Sequence, residues 1–287
     1  MTNKSSAAFP LSLNSGTLSF SSPCIMAILN VTPDSFSDGG KFNSVKAALS
    51  RIEQMLDEGA DIIDVGGEST RPGSEPVSEE EELNRTIPVL KEAVRLFPDA
   101  FFSIDTTKFK VARQALDCGA HFVNDVSGLQ KEPRLADLCE EYRAAYILMH
   151  SQGDPKTMQD NPEYRSVIND ISNFLEDGIN RLKSAGVENV IIDPGIGFGK
   201  KLKHNLQIIA DLRQFAKLNC PILIGASRKS MIGSILDGRP ADNRLAGTLA
   251  VHYHCLMNGA NILRVHDVKE AADTIKIFNA VKSQDKD

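Results

Sequence analysis

The sequence predicts an α/β protein, a (β/α)8 TIM barrel with a short N-terminal hairpin, and two observations support this prediction. First, a junction recurs in which small residues end a helix-like segment, an apolar run rich in β-branched residues follows, and a polar residue closes it. The junction stands at 59–64, 119–124, 185–193 and 259–264. Second, short apolar runs alternate with helix-like stretches along the chain, which indicates parallel strand pairing.

Eight apolar runs are candidate strands, and eight is the number of strands in this barrel. They span 25–29, 62–65, 101–104, 122–123, 146–149, 190–192, 222–224 and 262–265. Helices are predicted between them at 45–58, 111–118 and 167–185, and after the last strand at 268–281. A further helix begins after Ser78, because Glu81 three residues on completes the pattern of a capping box.

The segment before the first barrel strand is predicted to be a hairpin at the bottom of the barrel, since residues 11–20 place Asn14-Ser15-Gly16 between alternating residues. We therefore expect one domain over 1–287, with an N-terminal extension at 1–23 and the barrel at 24–282. A doubly wound sheet is the rival architecture. It predicts a shorter chain and a ligand crevice at one switch point, whereas polar residues here follow nearly every strand.

Composition narrows the class of protein. A net charge of -6 argues against a nucleic-acid partner, which normally requires a basic excess, but allows anionic small molecules held by local cations. The five cysteines are scattered without a CxxC pair, which is typical of a reducing compartment. No apolar run approaches the roughly 20 residues that cross a bilayer. We expect a cytoplasmic protein with no membrane partner.

Polar residues close nearly every predicted strand, and in a barrel these positions converge on one mouth where active sites are built. Carboxylates and amides can read the adjacent N–H groups of a flat heterocycle. Arginine suits bidentate contact with phosphate or carboxylate. In chain order the residues are Asn30, Asp64 with Glu68 to Pro72, Asp105, Asn124, His150, Asp193, Ser227, Arg228, Lys229, Arg264 and His266. The set predicts a site that combines heterocycle and anion recognition.

Some of these residues have a structural interpretation that the sequence leaves open. Asp64 is also a candidate support for its neighbours, and a histidine at the place of His150 is more often structural than catalytic. His252 and His254 lie two apart in a predicted helix and so face different sides, which argues against a shared metal.

Two loops after predicted strands have compositions that suit a ligand site. The stretch 193–200, DPGIGFGK, is too short between Gly195 and Gly199 for a P-loop, and its glycines do not match the dinucleotide fingerprint. It still lets backbone approach a flat ligand, which Phe198 can cover. Residues 30–40 mix turn formers with acidic and amide groups and predict a mobile lid that excludes water when closed.

Seven motifs make the chain resemble the dihydropteroate synthases, in that family's order. They are NVTPDSFSDGG at 30–40, GGESTRPGS at 66–74, SIDT at 103–106, NDVSG at 124–128, DPGIGFGK at 193–200, SRKS at 227–230 and RVHDV at 264–268. The resemblance covers 24–281. It departs at Phe109, where the family commonly has Pro, and at Ser151, where Met is usual. Neither departure falls on an expected site residue.

The resemblance implies condensation of 6-hydroxymethyl-7,8-dihydropterin pyrophosphate with 4-aminobenzoate, with Mg²⁺ as cofactor, by a homodimer that sulfonamides target. The implied pterin site is Asp105, Asn124, Asp193 and Lys229. The implied pyrophosphate site is Asn30, Thr70, Arg264 and His266, with Asn30 also binding Mg²⁺. The implied aminobenzoate site is Phe36, Arg71, Pro72, Phe198 and Ser227. Catalytic roles are implied for Asp38, Arg71 and Lys229.

Two other functions stay open at the level of the sequence. A methyltetrahydrofolate-dependent corrinoid methyltransferase has a similar pterin-binding barrel, but we expect it to lack the loop at 30–40 together with the SRKS and RVHD motifs. A non-catalytic paralogue that binds pterin without turnover is the second. The intact phosphate and aminobenzoate residues weigh against it.

Overall fold

The computed structural model of the protein describes residues 9–13, 16–32, 40–69, 74–153 and 162–284. Its strands are β1 (Leu11–Leu13), β2 (Gly16–Leu18), β3 (Cys24–Asn30), β4 (Ile62–Gly66), β5 (Phe101–Asp105), β6 (Phe122–Asp125), β7 (Ala145–Met149), β8 (Val190–Asp193), β9 (Leu223–Ile224) and β10 (Ile262–Val265). Its α-helices are α1 (Gly40–Asp57), α2 (Glu79–Leu96), α3 (Phe109–Asp117), α4 (Leu135–Glu141), α5 (Val167–Ser184), α6 (Leu202–Ala210), α7 (Ser230–Ile235), α8 (Leu245–Met257) and α9 (Val268–Gln284).

Strands β3 to β10 form one parallel sheet in the order β8-β7-β6-β5-β4-β3-β10-β9. The two edges of this order approach each other through a parallel bridge between Ile192 and Ile222, and Ile192 N donates to Pro221 O at 2.9 Å. The sheet therefore nearly closes into a barrel with helices between its strands. The predicted (β/α)8 fold is confirmed, and the doubly wound alternative is wrong.

The interior of the barrel changes from apolar to polar along its axis. Strands contribute one apolar layer near their beginnings, formed by Ile62, Phe122, Ile191 and Ile262. Two positions further along the same strands stand Asp64, Asn124, Asp193 and Arg264. Because side chains alternate between the two faces of a strand, these polar side chains point to the same interior. The barrel thus has an apolar bottom and a polar mouth.

The N-terminal hairpin covers the apolar bottom, as the sequence predicts. Strands β1 and β2 pair antiparallel, with Leu11 opposite Leu18. Leu11, Leu18 and Phe20 are buried in the same cluster as the interior apolar layer. Asn189, just before β8, binds the backbone of Ser12 twice: Ser12 N donates to Asn189 Oδ1 at 3.1 Å, and Asn189 Nδ2 donates to Ser12 O at 2.9 Å. Residues 14 and 15 of the predicted turn lie outside the described residues.

The start of α2 follows the predicted cap. Ser78 stands before the first residue of the helix, and its Oγ accepts from Glu81 N at 3.2 Å. The Glu81 carboxylate accepts from Arg85 Nε, at 2.9 Å. Ser78 is thus confirmed as the capping residue that satisfies one of the free N–H groups of the first turn.

None of the helices within the described ranges is both long enough and apolar enough to cross a membrane.

Candidate active site

The predicted site residues that the structure describes lie at one end of the barrel, where the strands finish. Asn30, Asp105 and Asp193 are the last residues of β3, β5 and β8. The strand register pairs Asn30 with Gly66, Gly66 with Asp105 and Asp105 with Asn124. Phe198 follows β8, Ser227 and Lys229 follow β9, Arg264 belongs to β10 and His266 comes just after it. Phe36, Asp38, Thr70, Arg71 and Pro72 lie outside the described residues.

Arg264 joins two carboxylates of the mouth. Its Nε donates to Asp64 Oδ2 at 2.6 Å, and its Nη2 donates to Asp105 Oδ2 at 2.7 Å. Asn124 Nδ2 donates to the same Asp64 oxygen at 3.0 Å. Asp64 is fully buried. The residue for which the sequence left two interpretations open therefore supports Arg264 and orients the amide of Asn124.

The two carboxylates at the strand ends, Asp105 and Asp193, are buried and have raised pKa values. Burial is the main cause in both. For Asp105 the Arg264 guanidinium opposes the rise, and for Asp193 the N–H of Gly195 and then the Lys229 ammonium oppose it. Since N–H donors and cations favour the ionised form, a ligand that brings N–H groups would stabilise these carboxylates in the same way.

The glycine-rich loop after β8 brings Phe198 beside Lys229. Gly195, Gly197 and Gly199 have φ values of 72, 83 and 63°, a region that favours glycine. The Gly195 N–H donates to Asp193 Oδ1 at 2.7 Å. Lys229 Nζ lies 4.0 Å from the centre of the Phe198 ring, within the range of a cation–π contact. The loop therefore places Phe198, a predicted aminobenzoate residue, in contact with Lys229, a predicted pterin residue.

Ser227 and His266 are paired across the ends of β9 and β10. Ser227 Oγ lies 3.0 Å from His266 Nδ1 and accepts from His266 N at 3.3 Å. Next to this pair, Arg228 binds the Asp267 carboxylate, with Nε donating to Oδ2 at 3.0 Å. The ion pair fixes the two loops against each other. It therefore sets the spacing of the residues that the sequence assigns to the aminobenzoate and pyrophosphate sites.

Lys108 anchors the loop that follows β4, and the sequence alone does not reveal this. Its ammonium binds the carboxylates of Glu68 and Glu82, and Glu82 is fully buried on α2. Arg85 Nη1 donates to Gly67 O at 2.8 Å. These contacts hold the beginning of the loop whose residues 70–72 belong to the predicted site. The partners are 26 and 40 residues apart from Lys108, a separation that gives no periodic signal.

The oxygen atoms at the mouth decide whether Mg²⁺ can bind there. In the parts of the chain that the structure describes, no group of three or more His, Cys, Asp or Glu residues is arranged to hold a metal. A Cβ placed on Gly66 would lie 3.8 Å from Asn30 Oδ1 and 3.9 Å from Asp105 Oδ2. Glycine thus leaves a space flanked by two oxygen atoms. Mg²⁺ usually takes one or two protein oxygens and completes its shell with water and substrate phosphates, so the amide oxygen of Asn30 is a suitable ligand, while Asp105 Oδ2 already accepts from Arg264.

The fold and the site together define the class of protein to which this chain belongs. A TIM barrel carries its active site at the ends of its strands. In this barrel that end holds buried carboxylates and amides, which suit the N–H groups of a nitrogen heterocycle. It also holds an arginine, which suits an anion attached to that heterocycle. These are the properties of a barrel enzyme that acts on a charged heterocyclic substrate.

Comparison with known proteins specifies the family. Residues 26–266 match the family described as pterin binding enzyme. The dihydropteroate synthase of Haemophilus influenzae is 47% identical over 269 residues, 93% of this chain and 97% of the relative. The Yersinia pestis dihydropteroate synthase, solved with a sulfonamide drug, has a TM-score of 0.89 and 43% identity over 96% of this chain and 100% of that one. The Xanthomonas albilineans enzyme, solved with 4-aminobenzoic acid, has a TM-score of 0.89 and 39% identity over 96% and 99%.

The chain therefore belongs to the dihydropteroate synthases, pterin-binding enzymes of folate synthesis.

Proposed function

We propose that this chain condenses 6-hydroxymethyl-7,8-dihydropterin pyrophosphate with 4-aminobenzoate, giving 7,8-dihydropteroate and pyrophosphate. The observation that carries the proposal is the meeting of two buried carboxylates, Asp105 and Asp193, with Arg264 at one barrel mouth. Carboxylates accept from the N–H groups of a heterocycle, and a guanidinium binds phosphate oxygens. The second substrate has support from the Xanthomonas albilineans enzyme, which was solved with 4-aminobenzoic acid.

The pterin is proposed to bind to Asp105, Asn124, Asp193 and Lys229. Asn124 points its amide donor at Asp64, which leaves its carbonyl oxygen as the acceptor for a ligand N–H. Gly195 N occupies one oxygen of Asp193, so the other oxygen is available to the ring. The resulting pocket is rich in acceptors, and this suits a pterin because its amino and ring N–H groups are donors.

The pyrophosphate is proposed to lie over the ends of β3 and β10, bound by Asn30, Arg264 and His266, with Thr70 from the loop after β4. The last two strands of a TIM barrel often supply a phosphate site. Asn30 would hold Mg²⁺, which supplies positive charge to the departing pyrophosphate when bound. Arg264 adds a second positive charge close to the developing negative charge, which lowers the energy of the transition state.

The aminobenzoate is proposed to bind between Phe198 and Ser227, completed by Phe36, Arg71 and Pro72 from the two loops outside the described residues. Phe198 supplies an aromatic surface, and the adjacent Lys229 ammonium adds charge complementary to a carboxylate. Ser227 is buried and already bound to His266. The aminobenzoate and pyrophosphate sites would therefore share a wall.

In the proposed reaction, the bond from the pterin methylene carbon to pyrophosphate oxygen breaks largely before the amine nitrogen of aminobenzoate forms its bond to that carbon. Pyrophosphate leaves with the bonding electron pair, and the amine releases one proton. Asp105 and Asp193 favour the positive charge that develops on the pterin. Lys229, with Asp38 and Arg71, is proposed to act next to the reacting atoms, and closure of the loop 30–40 would exclude water.

The test is a coupling assay with both substrates and Mg²⁺, in which pyrophosphate and dihydropteroate are measured together. We expect equal amounts of the two products and no pyrophosphate release when aminobenzoate is left out. Release without aminobenzoate would identify hydrolysis. Tight binding of the pterin pyrophosphate in calorimetry, with neither product formed, would contradict the synthase and identify a pterin-binding protein without turnover.

A homodimer and a cytoplasmic location are also proposed. Exposed apolar side chains on α8 and α9 support an interface, with Met257, Ile277 and Val281 exposed to 39, 61 and 44%. The five cysteines are free thiols, as expected in a reducing compartment. Sedimentation equilibrium of the purified protein tests the dimer, and a single species of 31.3 kDa would contradict it.

A further inference from the structure

Lys200 is a buried lysine that the proposed reaction does not use. Its side chain is almost completely inaccessible, at 2% exposure. Its Nζ lies 2.9 Å from His150 Nδ1, 2.9 Å from Phe198 O and 3.2 Å from His150 O. An ammonium group has three N–H donors, so with His150 in the tautomer that accepts at Nδ1 these three acceptors match its full capacity. A buried lysine with these three contacts stabilises the groups around it, because its loss would leave several polar groups without hydrogen-bond partners.

The acceptors belong to two different loops of the barrel mouth. His150 follows β7, and Phe198 is part of the glycine-rich loop after β8. The two backbones are in close contact: a Cβ on Gly195 would lie 1.9 Å from His150 O, and a Cβ on Gly199 would lie 2.2 Å from Gln152 O. Lys200 therefore fastens the glycine-rich loop to the loop before it, at a place where only glycine allows the approach.

Other contacts hold different points of the same loop. Tyr164 Oη donates to Gly199 O at 2.8 Å, and Gly197 N donates to Asn205 Oδ1 at 2.8 Å. Lys200, in contrast, binds the carbonyl of Phe198 itself. Its bond thus constrains the peptide that carries the aromatic ring.

Lys200 also acts on Asp193 through charge. A Cβ on Gly195, whose N–H binds Asp193, would lie 3.2 Å from Lys200 Nζ. Burial lowers the pKa of Lys200 to about 7, and the Asp193 carboxylate opposes this while the Lys229 ammonium adds to it. Conversely, Lys200 is one of the cations that oppose the rise in the pKa of Asp193. In its protonated form, Lys200 therefore favours the ionised form of that carboxylate.

We propose that Lys200 is a positioning residue, which sets the loop that presents Asp193 to the pterin and Phe198 to the aminobenzoate and so couples the two substrate sites. The inference rests on the function proposed above. It assigns Lys200 an effect through these two residues, whereas the pyrophosphate side of the mouth, with Arg264 and His266, is held by separate contacts.

The test compares Lys200→Met with Lys203→Met, which removes a lysine charge from an exposed position of α6 near the same loop. For Lys200→Met we expect about tenfold weaker binding of 6-hydroxymethylpterin in calorimetry and about a tenfold higher KM for aminobenzoate, the loss typical of a charge-assisted hydrogen bond. Binding of inorganic pyrophosphate with Mg²⁺ should change less than about threefold, because a more distant charge is screened. Lys203→Met should match the wild type in all three measurements.

A folded Lys200→Met protein with wild-type pterin binding and KM would overturn the proposal, and so would equal losses for all three ligands. Lys200→Gln is the second variant and addresses the risk that the methionine protein does not fold. It keeps N–H donors for Phe198 O and removes the charge, so pterin affinity should fall while the KM for aminobenzoate stays within about threefold. A large rise in that KM would contradict positioning through the Phe198 carbonyl. Absence of product with the wild type would contradict the proposed function alone, since the calorimetry still tests Lys200.

Discussion

Arg264 shows how one side chain connects two sites that the sequence treats separately. The motif at 264–268 implies a phosphate role, yet its Nε and Nη2 are bound to Asp64 and Asp105. Removing one partner of a buried ion pair leaves an uncompensated charge, which costs about 3 to 5 kcal/mol. The guanidinium is thus held in place by carboxylates on the pterin side. It is thereby oriented before any phosphate oxygen reaches it.

Asp193→Asn should weaken binding of 6-hydroxymethylpterin by roughly tenfold to a hundredfold, because an amide accepts at one atom and the charge-assisted bonds are lost. One oxygen already accepts from Gly195 N, so the variant must give up either that bond or a ligand contact. Calorimetry measures the affinity, and binding of inorganic pyrophosphate serves as the control that should not change. An unchanged pterin affinity in a folded variant would remove Asp193 from the pterin site.

His266 and Arg264 should differ in the ligands whose binding they support. His266→Ala should weaken the pterin pyrophosphate and free pyrophosphate by about tenfold and leave the pterin alcohol within about twofold, because its Nδ1 is paired with Ser227. Arg264→Ala should weaken all three ligands, since Asp105 loses the cation that opposes the rise in its pKa. Calorimetric titrations with the three ligands give the comparison. Equal losses for all ligands in His266→Ala would mean that this residue supports only the fold.

At the scale of the elements, the strands are the most predictable part of the chain. Buried parallel strands are continuous apolar runs, so β4 and β10 begin where the runs at 62 and 262 begin. The polar residue that ends each run is already a site residue, as Asp105 and Asp193 show. Barrel topology then converts these positions into one mouth. This is why most of the candidate site follows from the sequence.

Contacts between distant loops are not predictable in this way. Lys200 and His150 are 50 residues apart, and neither spacing nor composition indicates that they meet. The glycine-rich loop does not match the nucleotide-binding motifs, so the sequence predicts no role for Lys200. Helix α7, of six residues, also has no prediction, because a helix this short has too few turns for a periodic apolar pattern. Its position depends on tertiary contacts instead.

The loop at 30–40 carries a prediction at this scale, although 33–39 lie outside the described residues. If pyrophosphate and Mg²⁺ close this loop over the mouth, aminobenzoate should bind about 5- to 150-fold more tightly to the enzyme with pterin, pyrophosphate and Mg²⁺ than to the free enzyme. Asp38→Ala should reduce the gain, because the loop loses its acidic partner for a cation. Aminobenzoate affinity is measured in both states of both proteins. Equal affinity in all four cases would show a preformed site and no lid.

In the molecule as a whole, the apolar packing at the bottom of the barrel and the candidate site at its mouth lie at opposite ends. The bottom is closed by apolar packing between the hairpin and the first residues of the strands, with Phe20 buried there. Truncating a buried phenylalanine typically costs about 3 to 5 kcal/mol, and the proposed substrate-binding residues that the structure describes lie at the opposite end. The mouth instead contains buried charges that are paired with one another, as Arg264 is with Asp64 and Asp105. Ligand binding there should therefore stabilise the fold.

A buried histidine makes the stability of the whole chain depend on pH. His252 on α8 is fully buried, and neither ring nitrogen has a hydrogen-bond partner among the described residues. Burial lowers its pKa from 6.5 to about 4, with Asp267 opposing the shift. The unfolded chain therefore binds a proton between pH 6.5 and 4 that the native protein does not, so this residue lowers the free energy of unfolding as the pH falls through that window. Above pH 6.5 both states are neutral and the penalty disappears.

His252→Leu should remove this contribution. For each protein we compare the free energy of unfolding at pH 5 with its value at pH 7. The drop between the two should be smaller in the variant than in the wild type by about 2 kcal/mol. Urea unfolding at pH 7, 6 and 5 measures the difference, and the other histidines cancel because both proteins contain them. His254→Leu, two residues on and exposed, is the matched control and should retain the wild-type pH dependence. Parallel curves for wild type and His252→Leu would show that the buried imidazole already takes up its proton near the ordinary pKa, and that another group governs acid unfolding.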